Sequence, residues 1–390
     1  MKPSADVQPE FPAYEPKGWS LVRHTPFYDV GLQYGADMQD LFGYALPREY
    51  AAGHIQEHLG TRERASLCDL DYMAEFWVTG ADARSFVQHV CTNDYRQVKP
   101  GTIRYTAFCQ PNGNMVDDGT VWCFEDSRFL IMSGDESDFD WFVEAKDSAK
   151  SFQIELENVT SQWTTLALQG PRSRDILGKL FSLKLLDDIR YYHFTESIAG
   201  GVDCTVNRMG YTGEFGYELH FHPRDGGRLW EGIMEAGREF EIVPCGQAAL
   251  ESLRQEAGYL LVGNDHDKST NPLEAGIGFT VKFGKNDFIG RQALSEIRKN
   301  GVKRRMVWFK LTDDVIANKG DMITGDDVEV GVVTSGSYSP TLGRGVAMGY
   351  VRPEFAISGL DYAITIAGEE HAANLSLMPL YDPGDTLTKQ

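Results

Sequence analysis

The sequence predicts an α+β body followed by a small C-terminal all-β domain. Strand-like runs and amphipathic helical runs are mixed without the regular strand-helix alternation of a doubly wound sheet. After about residue 300 the pattern changes to short β-branched strands broken by glycine, as in small barrels. The length of 390 residues implies two or three domains rather than one core.

The elements follow in order. Thr79-Gly80-Ala81-Asp82 introduces a helix with Phe86 and Val90 on one face and Thr79 or Asp82 as its cap. From Thr102 to Ser133, β-branched and aromatic runs separated by Gln110-Pro111-Asn112-Gly113 and Glu125-Asp126-Ser127 predict two hairpins. Val202 to Val206 and Tyr217 to Phe221 read as strands around the turn Met209-Gly210-Tyr211-Thr212-Gly213. Apolar stripes (Leu229, Trp230, Ile233, Met234; then Leu250, Leu253, Ala257, Leu260) predict helices over Gly227 to Phe240 and Gln247 to Leu261. Short strands follow at Met306 to Leu311, Val328 to Thr334, Gly345 to Val351 and Tyr362 to Ile366.

Lys and Arg number 37 against 57 Asp and Glu, a formal charge of −20, the wrong sign for a protein that binds phosphate backbones or anionic membranes. An anionic small ligand stays open, because local donors act within a Debye length of about 8 Å. No apolar run approaches the roughly 20 residues that span a bilayer. Met1 to Ser20 carries acids and prolines around Pro9-Glu10-Phe11-Pro12, unlike a signal or transit peptide, so a cytoplasmic protein is expected. The six cysteines, from Cys68 to Cys245, form no C-x-x-C pair and are expected to be buried thiols.

Neither G-x-G-x-x-G after a strand nor G-x-x-x-x-G-K-[ST] occurs, which leaves a Rossmann site or a P-loop without support. His54-Ile55-Gln56-Glu57-His58 matches a zinc pattern, but the neighbouring Arg62-Glu63-Arg64 and the missing third ligand favour a solvated helix face, and no metal is assigned. Asp265-His266-Asp267 reads as a polar loop rather than a metal site. Asp117 and Asp118 begin a strand, so one faces inward. The inward carboxylate needs a partner or a task such as proton work on a bound amine, and a turn-capping pair fits equally. In Asn207 to Glu218, three glycines and two tyrosines surround two glutamates. Glycines admit close approach of a flat ligand, and a carboxylate accepts a pair of hydrogen bonds from an amino-heterocycle; a tight turn before a strand is the plainer reading.

Taken together, Thr25-Pro26-Phe27-Tyr28-Asp29, Cys68 to Phe76, Thr92-Asn93-Asp94, Asn112 to Asp118, Gly210 to Glu214, Thr270 to Gly276 and Thr334 to Gly343 resemble the aminomethyltransferase family, the glycine cleavage T-protein and its tetrahydrofolate-dependent relatives. The resemblance implies a three-domain cloverleaf around a folate opening. The domains would comprise residues 1–70 with 160–250, residues 71–159 with 251–298, and a small β-barrel over 299–390. It also implies Asp118, rather than Asp117, beside N5 of the pterin and Glu218 on the pterin edge. Met73, Tyr105, Tyr192, Tyr211 and Tyr259 would line the pocket.

The chain departs from the family pattern. Leu250 stands where a folate-contacting arginine is usual, Phe215 replaces the Asp of Gly-Glu-Asp-Gly, Tyr72 replaces a His, and Asp382 replaces an Arg. Ala249 to Arg254 is more similar to the folate domains of sarcosine- and dimethylglycine-oxidising enzymes. The expectation is therefore a tetrahydrofolate-dependent demethylase acting on a small methylated amine, sulfonium or ether. The alternatives are a T-protein receiving an aminomethyl group from a lipoylated carrier protein, and a non-catalytic folate-binding protein.

Overall fold

A computed structural model describes residues 22–149 and 152–389. The segment read above for targeting signals, Met1 to Ser20, lies outside the described residues. No helix among the described residues is long and apolar enough to cross a membrane.

The fold is mixed α/β with a closed C-terminal barrel. A six-stranded sheet has the order Phe194–Ala199, Val202–Asn207, Gly216–Phe221, Thr164–Gln169, Ser66–Asp69 and Val243–Cys245. A five-stranded antiparallel sheet has the order Thr102–Cys109, Met115–Glu125, Arg128–Ser133, Ala74–Thr79 and Glu155–Asn158, and contains both expected hairpins. A three-stranded sheet uses Arg23–His24, Tyr44–Glu49 and Asp37–Leu41. Trp230, Phe27, Leu67 and Leu219 fill the core of the six-stranded sheet, and Phe76, Phe86, Phe129 and Phe142 that of the five-stranded one. A third cluster joins Ala107 and Met115 of the latter sheet to Leu260, Leu294 and the barrel residues Met306, Met348 and Tyr350. This seam fixes the barrel against the sheet that carries the paired aspartates.

The barrel closes with six strands rather than the four read from the sequence, Met322–Gly325 and Glu369–Ser376 being the additions. Glu-Glu-His-Ala-Ala-Asn has little β propensity; it becomes a strand because it closes the ring between Arg305–Leu311 and Tyr362–Ile366. The helix expected to reach Leu261 spans Gln247–Ala257 and stops at Gly258, whose φ is +83°. A Cβ there would lie 2.1 Å from the Met378 terminal methyl carbon and displace it, so the left-handed conformation favours glycine and the packing adds to it.

Two local expectations are corrected. Asp82 occupies the N-cap position of Ala83–Val90 but makes no side-chain capping bond; its Oδ2 accepts from the Gln153 amide at 2.8 Å. The helix His54–Glu63 is not a solvated face, because Glu57 and His58 are both fully buried. His58 bonds Ser252 and Thr341 at 2.6 and 2.8 Å, while His54 turns to Glu49. The two rings are thus committed to different partners. All six cysteines are buried and unpaired.

Candidate active site

Strand alternation separates the two aspartates into different environments. Asp117 is the inward residue, 1% exposed, and accepts from Ser133 Oγ, the Gly134 amide and the Asp118 amide at 3.1, 2.9 and 2.8 Å. Burial, with Asp118 and Asp138 nearby, pushes its carboxyl well above the usual range. The inward position is thus the structural one. Asp118 faces a cavity of about 380 Å³, where its Oδ2 accepts from the Tyr105 hydroxyl at 2.6 Å. The antiparallel pairing of Thr102–Cys109 with Met115–Glu125 sets the two side chains near each other.

All seven residues singled out above, Met73, Tyr105, Asp118, Tyr192, Tyr211, Glu218 and Tyr259, line this one cavity. Tyr211 and Tyr259 stack at 5.6 Å with an interplanar angle of 18°, and the Tyr211 hydroxyl donates to the Leu260 carbonyl. Tyr192 is held at φ +58°, a conformation fixed by backbone bonds from its amide to Arg208 and from Ile103 to its carbonyl. Glu218 is supported by residues that the sequence did not single out. Its Oε2 accepts from Asn207 Nδ2 at 2.8 Å; His220 stands beside the pair, held by Thr165 at 2.9 Å. Oε1 of Glu218 has no partner among the described residues.

The glycines around Tyr211 are required by the protein's own packing, and Gly210 also lies in the cavity wall. A Cβ at Gly210 or Gly216 would come within 2.6 Å of the Gln169 amide group, and one at Gly213 within 2.9 Å of the Ala257 methyl. Of the two glutamates here, Glu214 is spent on Arg62 at 3.1 Å, which also holds Glu256 at 2.7 Å. Burial alone would raise the Glu256 carboxyl, but His58, Arg62 and Ser339 hold it down to about 2.

The sequence reading missed His266. The triplet read as a polar loop is a loop, but Asp265 and His266 are 1% and 3% exposed. Asp265 fastens it: Oδ1 accepts from Thr334 and Ser335 of the barrel at 2.6 and 2.7 Å, and Oδ2 from Arg254 at 2.7 Å. His266 Nε2 then lies 2.6 Å from Asp118 Oδ1. Asp117, Asp118 and His266 offer ligand atoms within 4.8 Å of one another. Two atoms bound tetrahedrally to zinc at roughly 2.05 Å would be about 3.3 Å apart, so the shorter contact describes a charge pair rather than a metal edge. The available signal was a histidine flanked by two acids after Gly263-Asn264.

Leu250, 3% exposed, packs with Cys68, Leu70, Cys245 and Leu253 and does not line the cavity. Asp382 lines an adjoining cavity of about 300 Å³. Its carboxylate accepts from the Thr386 and Leu387 amides at 2.6 and 2.8 Å.

An aromatic, methionine-containing cavity with one unpartnered carboxylate oxygen fits a flat amino-heterocycle such as the pterin of tetrahydrofolate. Together with a mixed α/β fold and a closed barrel, this describes a protein with one enclosed site for such a ring. Residues 27–285 match the GCVT N-terminal domain, and residues 304–382 match the glycine cleavage T-protein C-terminal barrel domain. The chain is 37% identical over 361 residues to an aminomethyltransferase of Halothermothrix orenii, covering 92% of this chain and 99% of that protein. It is 38% identical over 356 residues to one of Bacteroides thetaiotaomicron, covering 90% and 97% respectively. The glycine cleavage system aminomethyltransferase T from Bartonella henselae superposes with a TM-score of 0.85 at 27% identity, over 93% of this chain and 99% of that one. The chain belongs to the glycine cleavage T-protein family and is an enzyme, a tetrahydrofolate-dependent one-carbon transferase.

Proposed function

We propose that the transferred carbon is an aminomethyl group, received from a lipoylated carrier protein as in a glycine cleavage system. The observation that carries this reading is the match to aminomethyltransferases along nearly the whole of both chains. It ranks above the demethylase expectation drawn from Leu250, Phe215 and Asp382. Each of the three side chains is accommodated locally: Leu250 is outside the cavity wall, Asp382 caps a local turn, and Phe215 packs edge-on against Tyr217 at 5.5 Å.

Tetrahydrofolate, when bound, supplies the nucleophilic ring nitrogen that accepts the carbon. Glu218 would hold the amino-heterocycle edge through Oε1, with Asn207 fixing the orientation of the carboxylate. Asp118, aimed by Tyr105, would take a proton from the reacting nitrogen. Met73, Tyr192, Tyr211 and Tyr259 would grip the ring faces and exclude water, so that the two reactants meet in a fixed orientation. Wall residues other than Asp118 and Glu218 are mostly apolar or aromatic, in keeping with a flat, uncharged ring.

The test is formation of methylene-tetrahydrofolate and ammonia from tetrahydrofolate and a carrier protein bearing the aminomethyl group on its lipoyl arm, beside methyl transfer from dimethylglycine, a methylsulfonium and a methoxyarene. Turnover with the carrier alone supports the aminomethyl reading. Formation of 5-methyl-tetrahydrofolate from a methylated donor without carrier turnover would overturn it.

A further inference from the structure

The aminomethyl reading gives Asp118 a proton to take and no place to put it. Asp118 accepts from Tyr105 on one oxygen, and its other oxygen lies 2.6 Å from His266 Nε2. The imidazole is 3% exposed, and neither of its nitrogens has a well-directed hydrogen bond. A buried ring with unsatisfied nitrogens costs free energy, so it persists because its loop is pinned from outside. Asp265 does this through Arg254 and the barrel hydroxyls, and the turn is closed by bonds from the Asp265 amide to Leu261 and from the Gly263 amide to His266.

We propose that His266 is a positioning residue that shares a proton with Asp118 and relays it during turnover. The proton leaving the acceptor nitrogen goes to Asp118 Oδ1 and passes to His266 Nε2, giving an imidazolium beside a regenerated carboxylate. The nitrogen's electron pair forms the new carbon bond as the donor's leaving group departs with its own pair. The imidazolium then returns the proton, through Asp118, to that leaving group or to water, so each cycle leaves the pair unchanged. This rests on the transferase reading only for the direction of proton flow; the pair itself exists in the ligand-free protein.

The surroundings favour such a pair. Asp118 and Asp117 face the ring at 2.6 and 3.7 Å, and Asp265 adjoins it on its own loop. Behind Asp117 stand Ser133 and Asp138, joined at 2.5 Å. From the barrel, the Tyr350 hydroxyl donates to the Asp265 carbonyl at 2.8 Å. Arg254, which holds Asp265, is also bound to Glu251. Burial alone would lower the imidazole's pKa, but Asp118 and Asp117 reverse that and raise it above the ordinary histidine value.

The experiment is a pH titration of the folate-free protein by histidine side-chain 15N and 13C NMR, with the His266 resonances assigned by their loss in H266Q. We expect His266 to titrate above 6.5, and its midpoint to fall by at least one unit in D118N. In H266Q, kcat should fall while the Kd for tetrahydrofolate stays within threefold, and the kcat–pH profile should lose one limb. A ring that is neutral from pH 5 to 8, or a midpoint unmoved by D118N, overturns the pairing. An unchanged pH profile in H266Q overturns the relay. If H266Q does not fold, H266N supplies both the assignment and the kcat–pH profile in its place. Failure of wild-type protein to bind tetrahydrofolate would count against the transferase reading and leave the titration result standing.

Discussion

Replacing Glu218 by Gln tests the ligand-holding carboxylate with minimal change of shape. Asn207 donates to Oε2 at 2.8 Å, so a glutamine at this position keeps its oxygen on Asn207 and turns its amide nitrogen to where Oε1 meets the cavity. An acceptor thereby becomes a donor, facing the N–H edge of the heterocycle. A hydrogen bond to a charged group contributes about 1.5–3 kcal/mol, which corresponds to roughly a 10- to 150-fold rise in Kd. Calorimetric titration with tetrahydrofolate under anaerobic conditions reads this directly. The melting temperature of the folate-free variant should stay close to wild type, because the Asn207 bond survives. A Kd within threefold of wild type in a folded variant would refute the assignment. A large drop in melting temperature would show instead that Glu218 acts through the sheet.

Asp118→Asn should leave tetrahydrofolate affinity within a few fold and cut kcat by at least about 100-fold, the usual scale for a lost general base; stopped-time product assays check it, and a loss under tenfold would count against the role. Leu250→Ala should cost about 2–5 kcal/mol in urea unfolding, since it opens a void among Cys68, Leu70 and Leu253, with folate affinity unaffected because the side chain lies outside the cavity wall. Stability should also fall as pH rises from about 4 to 8. Burial pushes the carboxyls of Glu57 and Asp69 up to about 7, and burial with Asp69 beside it pushes Asp71 up to about 8. A folded pKa above the unfolded one gives stability that is complete below about 4 and lost as pH passes the folded value, here on the order of a few kcal/mol together. His58, lowered chiefly by burial, works in the opposite sense near neutrality. Urea midpoints at pH 5 and 8.5 decide the sign, and a higher midpoint at pH 8.5 would contradict the analysis.

What could be read from the sequence was local. The hairpins of residues 102–133, the strands flanking Gly210 and the stripes read over Gly227 to Phe240 and Gln247 to Leu261 carry their periodicity in consecutive residues, and the structure forms each of them, the last helix stopping at Ala257. The seven cavity residues were named through family motifs, not through any property of spacing. Contacts distant in sequence were not legible. Nothing in His54-Ile55-Gln56-Glu57-His58 shows that Ser252 and Thr341 will enclose His58, and a polar residue with distant partners looks identical to a solvated one. The same holds for Asn207 and His220 behind Glu218, and for the loop residue His266, whose partner Asp118 lies on a strand far from it in sequence. Strand Glu369–Ser376 escaped notice because barrel closure, rather than its own residues, makes it a strand.

The departures from the family pattern illustrate why a substituted motif residue is weak grounds for a changed reaction. Loss of an arginine matters if its absence leaves a carboxylate or a ligand group without a partner. Around Leu250 the neighbours are thiols, aliphatic chains and the partly buried Tyr72 and Tyr211, so the apolar side chain completes a cluster and strands no charge. Phe215 lies partly buried against Tyr217 and under the Arg208 guanidinium at 4.1 Å, where its ring offers the cation an aromatic face in place of a carboxylate. Asp382 accepts two backbone amides of the turn that follows it, work that an arginine could not do. Each change is absorbed by contacts a few ångströms away, whereas Asp118, Glu218 and the four tyrosines Tyr105, Tyr192, Tyr211 and Tyr259 line one cavity. The reaction is expected to follow the group that stayed together.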